Sequence, residues 1–113
     1  MPAYGVGWLT MRDPSWVPAY GPKTDELIEK YGGKVLARGS AIEQLEGRHK
    51  VPDVMVVLEF PSMEKARAFY NDPEYAEMIK LRQRGSDLEY VLLNGVSEFG
   101  REGRPREVRT ATA

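Results

Sequence analysis

The sequence contains no cysteine and a single histidine among its 113 residues. Disulfide bonds, thiolate nucleophiles and sulfur-ligated metals are therefore excluded. One histidine without any cysteine also cannot supply the usual zinc ligand sets. The fold must hold without covalent cross-links, and we expect neither a metal nor another cofactor.

A strong charge of one sign and a long apolar run are also missing. The 16 basic and 17 acidic residues leave a formal net charge of −1, so no extended positive field attracts nucleic acid or an anionic membrane surface. No stretch approaches the roughly 18 apolar residues of a membrane-spanning helix. The first residues lack the basic segment and apolar run of a signal peptide. We expect a cytoplasmic protein without nucleic-acid or membrane partners.

What the sequence does contain is a regular succession of strand and helix signals. Runs rich in apolar residues predict strands at residues 3–11, 34–39, 54–60 and 88–94. Capping side chains predict helical segments that begin at Asp13, Ser62 and Asp72. Pro18 and Pro22 predict a kinked or broken first helix, which ends at Gly32 and Gly33.

The order of these segments is β-α-β-β-α-β, which predicts a ferredoxin-like α+β fold with a four-stranded antiparallel sheet. The helices can cover only one face of this sheet, yet the strands at 54–60 and 88–94 are apolar on both faces. The second face needs a partner, most simply a second copy, so we expect a homodimer. Residues 1–96 form this domain, and the charged, aperiodic residues 97–113 are expected to be a flexible tail.

Several short motifs stand in register with a known family. They are Met-Pro-Ala-Tyr at 1–4, Lys-Tyr-Gly-Gly at 30–33, Leu-Ala-Arg-Gly at 36–39, Leu-Glu-Phe-Pro-Ser at 58–62 and Asp-Pro-Glu-Tyr at 72–75. Together they resemble the domain-of-unknown-function family 1330. The resemblance implies the dimeric α+β barrel superfamily, in which two ferredoxin-like subunits join their sheets. That superfamily includes cofactor-free monooxygenases, polyketide cyclases and isomerases as well as binding modules, so it selects no reaction.

Arg82 is the most informative candidate for chemistry. It follows Tyr75 at helical spacing and continues the stripe of Tyr75, Met78 and Ile79 towards the sheet. A guanidinium in that position needs a partner. The functional hypothesis is a bound carboxylate or enolate, and the alternatives are an internal ion pair with Glu59 or a side chain that reaches water.

Arg38 and Glu59 lie on the two strands of one predicted hairpin and are expected on the same face of the sheet. They either line one cavity, where Glu59 moves a proton, or form a cross-strand ion pair. His49 lies between Arg48 and Lys50 in the hairpin connection. It is either a solvated loop residue or a catalytic base at the mouth of a pocket.

Aromatic side chains provide a lining that suits a flat, partly apolar ligand. The candidates for ligand binding are Trp8, Tyr20, Tyr31, Tyr70 and Tyr75. Aromatic residues at helical spacing also occur in ordinary cores. Several tyrosine hydroxyls near one helix-to-sheet interface each need a polar partner, however, which favours a pocket with polar groups.

These residues leave three classes of function open. The first is a cofactor-free enzyme, an isomerase, cyclase or monooxygenase, that acts on a small organic acid or an aromatic, polyketide-like molecule. Arg82 or Arg38 would neutralise oxyanion charge, and Glu59, His49 or a tyrosine would move a proton. The second class is a non-catalytic metabolite-binding or accessory protein, which its ligand would stabilise without chemical change. The third is a purely structural dimer.

Overall fold

A computed structural model describes residues 1–95, and they form one antiparallel sheet with helices on one face. The strands are Ala3–Met11 (β1), Lys34–Gly39 (β2), Val54–Phe60 (β3) and Ser86–Asn94 (β4), and the helices are Val17–Lys30 (α1), Met63–Tyr70 (α2) and Pro73–Gln83 (α3). The strand order is β2-β3-β1-β4. This is the predicted ferredoxin-like arrangement, with its second helix in two pieces. The tail expected at 97–113 lies outside the described residues.

The predicted bounds of β1, β2 and β3 are confirmed, whereas β4 begins at Ser86 and not at residue 88. Ser86 and Asp87 are polar, so the apolar pattern does not reveal them. They join the sheet because Ser86 lies opposite Met11 and Asp87 lies opposite Thr10 at the end of β1. The strand therefore starts directly after Gly85.

The first helix is not broken at Pro18 or Pro22, because α1 runs from Val17 to Lys30 through both prolines, and a separate short turn precedes it. The Asp13 side chain accepts a hydrogen bond from the Ser15 N–H at 2.9 Å and caps a 3₁₀ turn, Pro14–Trp16, that leads into α1. Pro18 stands in the first turn of α1, where proline loses no intrahelical bond, and Pro22 lies inside the helix. Gly32, with φ of +77°, follows the end of α1 as expected.

The core lies between the sheet and the helices. Its buried members are Ala3, Leu27, Ile28, Leu58, Phe60, Ala66, Phe69 and Tyr75. The rings of Phe69 and Tyr75 have centroids 4.5 Å apart, which joins α2 to α3. Tyr70 directly follows Phe69 in α2, yet it is 37% exposed. One position beyond Phe69 turns the side chain by about 100°, which carries Tyr70 to the edge of the helix layer.

The opposite face of the sheet, called the outer face below, is also apolar. It carries Tyr4, Val6 and Trp8 from β1, Met55 and Val57 from β3, and Val91 and Leu93 from β4. Val91 is 48% exposed and Leu93 is 58% exposed in the single chain. None of the helices among residues 1–95 has the length and hydropathy needed to cross a bilayer.

Candidate functional site

A cavity of about 750 Å³ lies between the sheet and α1. Leu9, Val56 and Leu88 form part of its floor, from three neighbouring strands, and Trp16 and Ile28 line it from the helical side. A volume of this size and a mostly apolar lining are typical of sites for small organic molecules.

Tyr90 enters this cavity because β1 carries glycine at the positions that face it. Tyr90 lies opposite Gly7 in the register of β1 and β4, and a side chain at Gly5 would overlap the Tyr90 ring. Sequence reasoning missed Tyr90. A tyrosine placed opposite a glycine on a neighbouring strand is the signal that would have identified Tyr90.

Arg82 lies at the buried end of the cavity and is 4% exposed. Its Nη1 donates to the hydroxyl oxygens of Tyr75 at 3.0 Å and Tyr20 at 3.3 Å, and those two oxygens lie 2.7 Å apart. No carboxylate among residues 1–95 forms an ion pair with it. The alternative of an internal ion pair with Glu59 is therefore wrong, and so is the alternative of a side chain that reaches water.

Arg82 and the tyrosine hydroxyls near it keep their protons. Burial acts to lower the pKa of Arg82, but Tyr20 and Tyr75 outweigh it, so that the pKa lies above its ordinary value. Burial, together with the adjoining Tyr20, raises the pKa of Tyr75, and burial likewise raises the pKa of Tyr90. This end of the cavity therefore offers a cation and neutral hydroxyls, which stabilise an anion.

Unsatisfied polar atoms are concentrated at the same cavity. Within the described residues, the buried side-chain atoms without a hydrogen-bond partner are Trp16 Nε1, Thr24 Oγ1, Arg82 Nε and the Tyr90 hydroxyl. All four residues line the cavity. Each such atom costs about 1–3 kcal/mol when it stays unpaired, so folded proteins contain few of them. Their clustering makes this cavity the candidate functional site.

Arg38 reaches the cavity because β2 contains a bulge. Val35 and Ala37 lie opposite consecutive residues of β3, so Leu36 is an extra residue in β2. The bulge reverses the alternation of side chains that follow it. Arg38 consequently lies opposite Val56, on the helix face, and lines the cavity.

Glu59 lies on the outer face, where it is opposite Lys34. It accepts a hydrogen bond from the Tyr4 hydroxyl at 3.1 Å and pairs with Lys34 at 3.4 Å. The prediction that Arg38 and Glu59 share one face is therefore wrong, and both of its versions, the common cavity and the cross-strand ion pair, are wrong with it. The prediction assumed that the side chains of β2 alternate between the two faces without a bulge.

Asp25 of α1 is the partner of Arg38, with 3.3 Å between its Oδ1 and Arg38 Nη1. The two side chains are 47% and 52% exposed respectively, so the pair lies at the mouth of the cavity, which both residues line. Sequence reasoning missed Asp25. Its spacing after Pro18 and Pro22, which line the cavity too, would have placed it on the same side of α1.

The predicted aromatic ligand-binding residues separate into different locations. Tyr20 and Tyr75 line the cavity. Trp8 lies on the outer face, because Gly7 and Leu9 on either side of it face the cavity. Tyr70 stacks on Tyr90, with centroids 5.8 Å apart, beside a smaller hollow.

Tyr31 belongs to a hydrogen-bond network that joins α1 to α3 through Asp72, whose side chain is 3% exposed. The Asp72 carboxylate accepts bonds from the Tyr31 hydroxyl at 2.6 Å, Lys30 Nζ at 3.0 Å and the Glu74 N–H at 2.7 Å. These bonds lower the pKa of Asp72 to about 2. The arrangement accounts for Tyr31 as a structural residue away from the cavity lining.

His49 is exposed in the connection between β2 and β3 and is not one of the residues that line the cavity. In the part of the chain that the structure describes, no three His, Asp or Glu side chains are grouped as metal ligands.

Comparisons with known proteins agree with this fold. The family model "Domain of unknown function (DUF1330)" matches residues 2–96. The RPA0582 protein of unknown function from Rhodopseudomonas palustris has 25% identity and a TM-score of 0.71, over 85% of this chain and 83% of its own. None of the curated proteins is significantly similar in sequence.

More distant structures share the fold at lower identity. SnoaB, a cofactor-independent oxygenase from Streptomyces nogalater, has 13% identity and a TM-score of 0.61, over 88% of this chain and 98% of its own. A dimeric protein of unknown function with a ferredoxin-like fold, from Bacteroides fragilis, has 12% identity and a TM-score of 0.52, over 83% of this chain and 96% of its own.

Proposed function

The chain belongs to the DUF1330 family, and we propose that it is a cofactor-free enzyme that acts on a small aromatic or polyketide-like molecule through an oxyanion intermediate. The observation that carries this proposal is the buried Arg82 guanidinium, which faces the cavity without a carboxylate partner among residues 1–95.

A buried cation without a counter-ion is costly. Removing such an ion from water costs several kcal/mol, and the neutral hydroxyls of Tyr20 and Tyr75 offset only part of that cost. An oxyanion on a ligand would supply the missing negative charge and accept charge-assisted hydrogen bonds. The apolar floor of the cavity would at the same time receive the flat part of the same molecule.

The same groups favour catalysis when the charge develops during the reaction. Removal of a proton next to a carbonyl places negative charge on its oxygen, and a preorganised cation and hydroxyls stabilise that charge most strongly in the transition state. Isomerisation and cyclisation of carbonyl compounds both proceed through such an enolate. SnoaB has the same fold and is a cofactor-independent oxygenase. This supports the proposal that side chains catalyse the reaction without a cofactor.

A second candidate function is non-catalytic binding of an anionic metabolite. It is favoured by the protonated state of Arg82, Tyr75 and Tyr90, which can donate hydrogen bonds to a bound anion but do not accept a proton. Such a site binds an anion tightly without changing it.

We also propose that a second copy of the chain covers the outer face. Trp8, Val91 and Leu93 there would otherwise leave a continuous apolar surface in water. The dimeric ferredoxin-like protein from Bacteroides fragilis supports this arrangement. The cavity lies on the other side of the sheet, so both faces have separate roles.

The proposal is tested by measuring ligand binding to Arg82 variants. Trp16 lines the cavity and the chain's other tryptophan is Trp8, so a Trp8→Phe background makes Trp16 fluorescence a reporter. The probes are benzoate, 2-naphthoate and phenylpyruvate. We expect Arg82→Met to weaken binding at least tenfold, which corresponds to about 1.4 kcal/mol.

The matched control is Arg84→Met, which removes the same charge from an exposed neighbour. It should leave binding unchanged. Equal affinity of the Arg82→Met protein and the unaltered protein, or the absence of binding for all three probes, would contradict the proposed function.

A further inference from the structure

We propose that Asp25 is the proton acceptor of the cavity and that Arg38 is its positioning residue, so that the substrate is a carbonyl compound with an acidic C–H bond. The inference rests on the proposed function, because the same cavity and Arg82 are involved. It adds the group that removes the proton.

Among the ionisable groups that residues 1–95 contribute to the cavity, one is a candidate for the proton acceptor. The titratable residues that line it are Tyr20, Asp25, Arg38, Tyr75, Arg82 and Tyr90. Arginine is always protonated in proteins, and a neutral tyrosine hydroxyl is a poor base. Asp25 is therefore the one carboxylate among the described residues that lines the cavity, and a carboxylate accepts protons readily.

The Asp25 side chain is free to react. Within residues 1–95 it forms a single hydrogen bond, from Arg38 Nη1 to Oδ1, and Oδ2 has no partner. Asp72 shows the contrast, since both of its oxygens accept bonds, from Tyr31, Lys30 and the Glu74 N–H. The fully bonded carboxylate is structural, whereas the half-bonded one stands at the cavity with an open oxygen.

The bulge in β2 has its effect at this site. With a regular strand, Arg38 would share the face of Lys34, away from α1. The extra residue, Leu36, brings Arg38 to the helix face, where it holds one oxygen of Asp25.

The proton transfer is balanced without another reactant. Asp25 Oδ2 takes a proton from the carbon next to the carbonyl, and the electron pair of the broken C–H bond forms the C=C bond of an enolate. The substrate would lie with its carbonyl oxygen towards the buried end, where Arg82 and its tyrosine partners would stabilise the enolate charge, and with the neighbouring C–H bond towards Asp25. Return of the proton to the oxygen or to another carbon completes an isomerisation, with no oxidation or reduction.

Hydrogen–deuterium exchange of phenylpyruvate tests the inference. This probe has an aromatic ring, a carboxylate and a methylene group next to a ketone, and proton NMR in D₂O follows the loss of the methylene signal. We expect the unaltered protein to accelerate exchange above the buffer rate. Asp25→Asn should lower the accelerated rate by roughly 100-fold or more, while Trp16 fluorescence shows phenylpyruvate still bound.

The controls separate catalysis from structure. Glu26→Gln changes the neighbouring exposed carboxylate, which pairs with Lys23 outside the cavity, and should exchange at the unaltered rate. Arg38→Met should lower the maximal exchange rate with little change in affinity, and Arg38→Lys should restore part of that rate. A merely structural role for Arg38 would not produce that split between rate and affinity.

Each failure has its own meaning. Binding of phenylpyruvate with no exchange above the buffer rate overturns the role of Asp25 and leaves the non-catalytic binding function. Exchange by Asp25→Asn at the unaltered rate overturns it as well. No binding of phenylpyruvate overturns the inference about substrate class, and if benzoate and 2-naphthoate also fail to bind, the proposed function falls with it.

Discussion

At the scale of single residues, two ionised side chains are buried among residues 1–95, and their surroundings are opposite. Asp72 is surrounded by donors that satisfy its charge, including Lys30. Within the described part of the chain, the partners of Arg82 are the neutral hydroxyls of Tyr20 and Tyr75, and its Nε has no partner. A satisfied charge contributes to folding, whereas the unsatisfied charge of Arg82 is the basis of the proposed anion-binding role.

Replacement of Arg82 by methionine should leave the free energy of unfolding unchanged or raise it. The substitution removes a buried charge and fills a similar volume, and Tyr20 and Tyr75 still bond to each other. Denaturant unfolding of the Arg82→Met and unaltered proteins provides the measurement. A loss of more than about 2 kcal/mol would show that Arg82 is needed for the fold itself.

Acid should destabilise the protein through Asp72. Its pKa is about 2 in the folded chain, below its ordinary value of 3.8, so the unfolded chain takes up the proton first as the pH falls. The stabilisation from Asp72 is complete above about pH 4 and is lost as the pH falls towards 2. Stability measured across this range should fall with acid.

The variant for this comparison is Asp72→Asn, which keeps a side chain that can cap α3. It should be less stable near neutral pH, because the hydrogen bonds from Lys30 and Tyr31 would no longer have a charged acceptor. Its stability should also depend less on pH between 4 and 2. An unchanged slope in that range would assign the acid sensitivity to other carboxylates.

At the scale of secondary-structure elements, one extra residue decides which side chains meet. The bulge at Leu36 places Arg38 over the cavity, beside Asp25 of α1, and leaves Glu59 on the outer face. Neither the residue types nor the length of β2 reveals the bulge. Strand register is therefore the property that assembles the mouth of the site.

Deletion of Leu36 should preserve both the fold and the mouth of the cavity. The residues before and after it already lie opposite consecutive positions of β3, so the shortened strand pairs regularly with Arg38 still opposite Val56. Leu36 is 49% exposed, so little apolar burial is lost. Phenylpyruvate affinity and exchange should remain within a few-fold of the unaltered protein.

The opposite result would identify a different role for the bulge. If the deletion lowered the exchange rate as much as Arg38→Met does, Arg38 would have turned away from Asp25. The deletion would then have shifted the pairing of β2 with β3 at other positions as well.

At the scale of the whole molecule, the sheet has a cavity on one face and an uncovered apolar surface on the other. The helices of residues 1–95 pack on the cavity side, and within that range Val91 and Leu93 of the outer face remain about half exposed. An antiparallel sheet commonly leaves one face to water, but such a face is usually polar. This surface is therefore the expected contact between two copies.

Replacement of Val91 by aspartate should convert the proposed dimer to a monomer. Val91 lies opposite Val6 in the middle of the outer face, where a carboxylate would lose water without gaining a partner. Sedimentation velocity measures the change in mass. Probe binding at the cavity should persist, because Val91 lies on the other face of the sheet.

The control is Ser40→Asp, which adds the same charge in the exposed connection after β2 and should leave the dimer intact. A Val91→Asp protein that remains dimeric would place the contact elsewhere. An unaltered protein that is already monomeric in dilute solution would reject the second copy altogether.

Local patterns in the sequence were sufficient for the elements and their order. The alternation in β1, the caps Asp13, Ser62 and Asp72, and the glycine after α1 each act within a few residues, so their effect is visible along the chain. The same helical spacing placed Arg82 on the buried side of α3, which the structure confirms.

The composition of the candidate site was decided by the tertiary structure. The bulge at Leu36, the fit of Tyr90 against β1 and the meeting of Arg38 with Asp25 all depend on how distant segments pair. Pairing register reflects the packing of the whole sheet, and a shift of one residue exchanges the two faces. Periodicity identifies a strand or helix locally, but only the packed sheet determines which polar side chains face one cavity.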